Sequence, residues 1–271
     1  MKIYRYWKIR TEDVDGTKVR FRAGSDISPE DADKIIERKL ELFRAFHAGL
    51  TPEKPERDDP YEIPICEELC ERLDEHNAVT RNRYGALVLN SEDHVFLDLD
   101  PLPPSFGERF RMLFGAKVRD PKERLLALVT ERMQDPELAG CPVRVYETCR
   151  GYRLLLGLPD LAANSARAQA LMSRFRTDPL YAALCARQNC YRARLTPKPA
   201  RIRMKTALRF RFPYPEEEFP AFREWLAEYS AKSEDYAVCR LAAAFGPDMS
   251  KDPVTAYHDR ICRCSRDLPL A

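Results

Sequence analysis

Two short apolar runs, Ala86–Leu89 and Val95–Leu97, flank the polar segment Asn90-Ser-Glu-Asp93, and the second run stops on Asp98-Leu-Asp100, followed by Pro101, Pro103 and Pro104. Apolar runs this short around a polar turn predict a β-hairpin. Side chains two apart on a strand share a face, so Asp98 and Asp100 are predicted to project together while Leu99 turns inward. Two carboxylates held side by side repel each other, and a divalent cation between them relieves the repulsion. The prolines end the strand at once, so the pair is expected at a sheet edge facing a loop. The segment therefore reads as a platform for Mg²⁺ or Mn²⁺. The competing reading is that the two acids only mark where a strand returns to water.

At 271 residues the chain can bury a sizeable core as one large domain or two small ones. Its 44% hydrophobic and 32% charged content fits a globular protein, and no apolar run approaches the ~18 residues that cross a bilayer. The opening Met1-Lys-Ile-Tyr-Arg-Tyr lacks the apolar centre of an export signal, and the nine cysteines are an odd number in a large chain. Reduced thiols, a cytoplasmic location and no membrane partner are expected. The net charge of +2 means that attraction to a polyanion must come from a local patch.

Taken in order, Lys2–Ile9 and Lys18–Arg22 alternate apolar and basic residues around Asp13–Gly16, which predicts an opening hairpin. Ser28-Pro29 starts a helix expected to run to about His47. Thr51–Pro60, with three prolines and six charges, reads as a linker or exposed loop. Further helices are predicted over Ile65–His76, Ser105–Phe114, Pro121–Gln134, Asn164–Arg176, Pro179–Gln188, Phe219–Tyr229 and Asp235–Ala244. Two strands spanning Val143–Leu156 turn at Arg150-Gly151, and Cys190–Leu195 and Ala200–Phe212 read as extended; the tail from Tyr257 stays unassigned. The expectation is a mixed α+β fold with a largely antiparallel sheet flanked by helices. Its divisions are an N-terminal hairpin, helix and linker (1–60), a core (61–215) and a C-terminal helical segment (216–271) packed with that core.

Two stretches carry the charge chemistry. Arg150-Gly151-Tyr-Arg153 sets two guanidinium groups beside a glycine that allows close backbone approach, with the Thr148 hydroxyl nearby, and guanidinium groups fork onto phosphate oxygens. From Arg187 to Pro215 there are nine cations and no acid, including Arg192, Arg194, Lys198, Arg201, Arg203 and Lys205. Many lie at alternate positions, so several are predicted to share one sheet face and attract a phosphate-rich partner, with Tyr191, Phe210 and Phe212 able to stack on bases. Salt bridges to acidic stretches such as Glu216–Glu218 are the competing account. Cys185, Cys190, Cys239, His258, Cys262 and Cys264 are soft ligands, but none shows the paired C-x2-C spacing of a structural zinc site.

With these motifs quoted, their order resembles the archaeo-eukaryotic primase superfamily of primases and primase-polymerases. In that superfamily a strand ends in a metal-holding Asp-x-Asp, as Val95-Phe-Leu-Asp98-Leu-Asp100 does, and a later Ser/Thr-x-Arg-Gly-x-His hairpin contacts nucleotide phosphates, as Thr148-Cys-Arg-Gly-Tyr-Arg153 resembles. The similarity spans about Tyr84 to Arg211. Arg153 stands where the histidine is usual, and the basic Tyr191-Arg-Ala-Arg194 stands near the place of the third acidic ligand. The resemblance implies an RRM-like primase-type core and metal-dependent nucleotidyl transfer. In it Asp98 and Asp100 hold Mg²⁺ or Mn²⁺, Thr148, Arg150, Gly151 and Arg153 meet a nucleoside triphosphate, and the cations from Arg192 to Lys205 hold nucleic acid. Two other readings stay open. One is a phosphohydrolase of the haloacid dehalogenase type with Asp98 as nucleophile and Asp100 as acid/base; the other is a nucleic-acid or nucleotide binder without turnover.

Overall fold

The computed structural model describes residues 1–50, 62–101, 106–115 and 120–271. It opens with strands β1 (Tyr6–Val14) and β2 (Thr17–Ser25), paired antiparallel around Asp15-Gly16, as the alternation predicts. Helix α1 (Pro29–His47) covers this hairpin, and Ser28 caps it by accepting from the Asp31 amide. Val14, Phe21 and Ala23 of the hairpin pack on Ile36 and Leu40 of the helix. The unit is tied to the rest of the chain where the Ile65 amide donates to Lys2 O and Arg72 Nη2 donates to Ile3 O.

Two four-stranded sheets follow, built from β3 (Glu68–Arg72), β4 (Asn77–Arg81), β5 (Leu87–Ser91), β6 (Val95–Leu99), β7 (Val143–Thr148), β8 (Tyr152–Leu156), β9 (Tyr191–Arg194) and β10 (Cys239–Phe245). Strand order is β3-β4-β5-β9 in one sheet and β10-β7-β8-β6 in the other, every neighbour antiparallel. Helices α2 (Phe106–Leu113), α3 (Pro121–Arg132), α4 (Ala166–Arg174), α5 (Pro179–Gln188), α6 (Phe219–Ser233) and α7 (Pro253–Cys262) flank them. This is the expected α+β class with largely antiparallel sheets. No helix among the described residues is long and apolar enough to cross a membrane.

The core lies between and around the sheets. Val95, Leu97 and Leu99 of β6 join Leu154, Leu156, Val143 and Val145 with Leu125 and Val129 of α3. On the opposite face Asp98, Arg153 and Tyr146 stand in register across β6, β8 and β7, with α7 covering them through His258. A second cluster stacks Tyr214, Phe222, Trp225 and Tyr229 on α6 and the loop before it. Trp225 lies so close over Gly85 (φ +90°) that a Cβ there would come within 2.1 Å of its ring, so the aromatic stack dictates that glycine.

Four sequence expectations are corrected. Ile65–His76 is not a helix: residues 68–72 form β3, because β4 offers an open ladder and Glu67 and Glu68 find Thr80 and Arg81 there. Asp235–Ala244 is not a helix either. Its alanines follow helix propensity, but Cys239–Phe245 pairs with the edge of β7 through a bulge between Leu241 and Ala243. The runs before and after Asn90–Asp93 do not pair as a hairpin: β5 bonds β4 and β9 while β6 bonds β8, so the chain crosses from one sheet to the other there. Asn90 and Ser91 are buried, Asn90 donating to Ala78 O and Thr80 Oγ1, which continues β5 where a turn was expected. Ala200–Phe212 is not extended; Pro199–Ile202 and Ala207–Arg209 are 3₁₀ turns, since Pro197, Pro199 and a left-handed Arg203 (φ 56°) break any strand. Of the tail from Tyr257, the residues up to Cys262 belong to α7 and the rest turns back as irregular chain. The Thr51–Pro60 linker and the loop from Leu102 to Ser105 lie outside the described residues.

Candidate functional site

Strand β6 of one sheet and β9 of the other run close together, and the charged residues named from sequence gather at this seam. Asp98 stands opposite Arg153 in the ladder, and its Oδ1 accepts from Arg153 Nε at 3.4 Å. Arg153 is 1% exposed, whereas the Asp98 side chain keeps 44% of its surface in water. The guanidinium also bridges the sheets, Nη1 donating to Arg194 O at 2.8 Å and lying 3.3 Å from His258 Nε2. Tyr181 on α5 makes a second bridge: its hydroxyl donates to Phe96 O on β6 at 2.7 Å and accepts from the Arg192 amide on β9 at 3.2 Å. The seam is thus stitched by polar groups on the edge that carries Asp98.

Asp100 lies one residue beyond β6 and is exposed. The end of β6 just before it is backed by Gly151, where a Cβ would sit 2.0 Å from Leu99 O, so only a glycine fits. Thr148 Oγ1 accepts from the Gly151 amide at 3.1 Å, which shapes the turn between β7 and β8. Arg150 is exposed at its tip. The structure therefore separates the two arginines of this motif: Arg150 faces solvent, and Arg153 is an internal strut.

The cations of the basic run divide in the same way. Arg192 is committed, donating to Glu67 Oε2 at 2.5 Å and to Gln188 Oε1 at 3.0 Å. Arg194 and Arg201 are not: Arg194 Nε and Arg201 Nη1 are buried with no hydrogen-bond partner among the described residues. Burial and the neighbouring Arg153 push the Arg194 guanidinium down to about 10. Lys198 is lowered first by burial and then by Arg194 and Arg201, while Asp98 and Asp100 pull it the other way. Four cations and two carboxylates thus share one field, with cationic donors left over. Arg203 and Lys205 are exposed on the following loop, beside a cleft of about 630 Å³ shared with Arg209 and Trp225. A further cleft of about 800 Å³ is lined by Arg5, Lys8, Arg20, Arg209 and Arg211, with Trp7 and Tyr214.

No family model, curated protein or solved structure matches this chain. Its chemistry has to be read from the side chains themselves.

The donor set at Asp98 and Asp100 is lean. Among the described residues, the groups of three or more side chains able to hold a metal are Cys239, His258 and Cys262, and His258, Asp259 and Cys264; neither includes Asp98 or Asp100. Mg²⁺ is commonly held by one or two carboxylates with substrate phosphates and water completing its shell. Two carboxylates beside four cations therefore fit an ion that arrives with a polyphosphate better than one held by protein alone. The soft ligands that sequence spacing leaves unpaired lie together under α7. His258 and Cys262, four apart on that helix, share a face, a spacing visible in sequence, but the alanine-rich Asp235–Ala244 run predicts a helix at Cys239, which instead opens β10.

Proposed function

We propose that the chain is a metal-dependent nucleotidyltransferase of the primase-polymerase type, acting on nucleoside triphosphates and nucleic acid. The observation that carries this reading is the pair of buried donors on Arg194 and Arg201, unpartnered among the described residues, in the same electrostatic field as Lys198 and the Asp98 and Asp100 carboxylates. A buried cationic N–H without an acceptor is costly, and a phosphate oxygen is the acceptor that also offsets the surplus positive charge. The carboxylates then have a role that cations alone cannot fill. They hold Mg²⁺ or Mn²⁺ against the same phosphates, and such an ion supplies Lewis-acid activation of the transferred group. Arg194, Lys198 and Arg201 orient the triphosphate, Arg150 and the Gly151 turn close one side, and Arg203, Lys205 and the arginine-lined clefts carry a nucleic-acid strand. Nine cysteines without a disulfide agree with a cytoplasmic setting.

The test is extension of a primed template with Mn²⁺ or Mg²⁺ and nucleoside triphosphates, comparing wild type with D98N, D100N and R201Q. The expected result is metal-dependent incorporation that both aspartate variants abolish. Asp100 is exposed, so loss in D100N cannot be laid to unfolding. R201Q should weaken triphosphate binding and leave the salt dependence of nucleic-acid binding unchanged, since its phosphate contact is to the triphosphate. Incorporation unchanged in D98N and D100N would overturn the proposal. A second reading, a binder without turnover, is favoured by the lack of a third carboxylate at the pair among the described residues; salt-dependent binding with no incorporation under either metal would establish it.

A further inference from the structure

Beneath α7 lies a cluster that the nucleotide reading does not use. Cys239 opens β10, His258 and Cys262 face inward from α7, and Cys264 follows two residues later. The first three are 0% exposed and Cys264 is 6% exposed. The ligand atoms of Cys239, His258 and Cys262 lie within 4.8 Å of one another, as do those of His258, Asp259 and Cys264. Cys264 Sγ lies 3.5 Å from Cys239 Sγ. Local backbone geometry brings this about. The helix ends at Arg263 in the left-handed region (φ 57°), and the Cys264 amide donates to Asp259 O at 3.0 Å, which folds Cys264 back under the last turn.

We propose that Cys239, His258, Cys262 and Cys264 form a structural zinc site that clamps β10 and α7 to the sheet. Four ligands tetrahedral about zinc, with Zn–S near 2.3 Å, stand about 3.8 Å apart, close to the spacing of the Cys239 and Cys264 sulfurs. That spacing is far too long for a disulfide and leaves no room for an iron–sulfur cluster. Three thiolates and an imidazole are a soft donor set that selects zinc over Mg²⁺ or Mn²⁺. Burial of the set leaves no open position for substrate, so the site is structural.

The surroundings match. His258 Nδ1 lies 3.0 Å from Asp259 Oδ1, the carboxylate support that ligating histidines commonly have, and Asp259 is itself anchored by Arg144 Nη2 at 2.6 Å. This leaves Nε2 to face the ion, in place of its 3.3 Å contact with Arg153 Nη1.

The test uses the full chain, expressed in zinc-supplemented medium and purified without chelator, with metal content measured directly. One zinc per chain is the expected result. Replacement by Co²⁺ should give intense tetrahedral ligand-field bands and thiolate charge transfer. C262S and C264S should each lower zinc affinity at least about a hundredfold, beyond the ~10–100-fold that a supporting residue costs. C185S removes a buried cysteine outside the cluster and should leave zinc content unchanged. A chain that takes up no zinc and gives no cobalt spectrum, or a Cys239–Cys264 disulfide found by peptide mass after purification without reductant, would overturn the proposal. So would C185S lowering zinc as much as C262S.

Discussion

Removing the two partners of the Asp98–Arg153 pair should have unequal consequences. Arg153 is 1% exposed, while the Asp98 side chain is 44% exposed. In D98N the guanidinium keeps Arg194 O but loses its charged partner inside the protein. An abandoned buried charge costs about 3–5 kcal/mol when both partners are buried; solvent already screens this pair, which lowers the expected loss to about 2 kcal/mol. In R153M the stranded group is a carboxylate that water can hydrate. Arg194 O loses its donor at about 1 kcal/mol, and Arg194 sheds the like charge that depresses it, so the net loss should be about 1 kcal/mol or less. Urea unfolding at neutral pH, followed by the fluorescence of Trp7 and Trp225, reads the difference. At a slope of about 3 kcal/mol/M the D98N midpoint should fall by roughly 0.7 M and that of R153M by half as much or less. A larger loss in R153M than in D98N would refute the reasoning, since the arginine would then be contributing far more than the aspartate needs from it.

G151A should cost about 1–3 kcal/mol, because its Cβ meets Leu99 O at 2.0 Å and the end of β6 must move; it should also lower any metal-dependent turnover, since Asp98 and Asp100 sit on that segment. G107A on α2, where among the described residues nothing beyond its chain neighbours and the helix's own backbone lies within 4 Å of the added methyl, should instead stabilise by about 0.4–1 kcal/mol in the same urea assay. Asp252 caps α7, and although burial pushes its carboxyl upward, the Thr255 amide and His94 outweigh this and hold it below its ordinary value. A folded value below the unfolded one means that the stabilisation is whole above about pH 4 and drains as pH falls through the lower, folded value. Wild type should accordingly lose more stability than D252N between about pH 5 and pH 2.5, the amide still capping but not titrating; parallel losses in the two proteins would exclude Asp252 as the source.

Local signals proved readable where the chain makes its own partners. Ser28-Pro29 capping α1, Asp15-Gly16 closing the first hairpin, and Arg150-Gly151 between β7 and β8 are all set by neighbours in sequence. Two of the failures occur where a distant strand decides. Cys239–Phe245 carries an alanine run that favours helix, yet the free edge of β7 wins it as a strand, and β5 and β6 look like hairpin arms until their true partners, β9 and β8, come from more than fifty residues away. The basic run was correctly recognised as dense in cations, but alternation alone could not show that Arg192 is spent on Glu67 while Arg194 and Arg201 keep donors in reserve. Nor could spacing reveal that Arg153 is an internal strut, because the residue that places it, Asp98, is 55 positions earlier.

The crossing of the chain between its two sheets has a practical consequence for anyone who would trim it. The strand that follows β5 leaves for the other sheet, the partner β5 needs next is β9, and the outermost strand of the second sheet is supplied by β10. Any single cut between β3 and β10 therefore removes a strand from one layer or the other, and an excised fragment such as 61–215 would expose the naked edge of β7. Expression of the whole chain is the sound choice, and folding should be slow, because both layers stay incomplete until their late-coming strands dock.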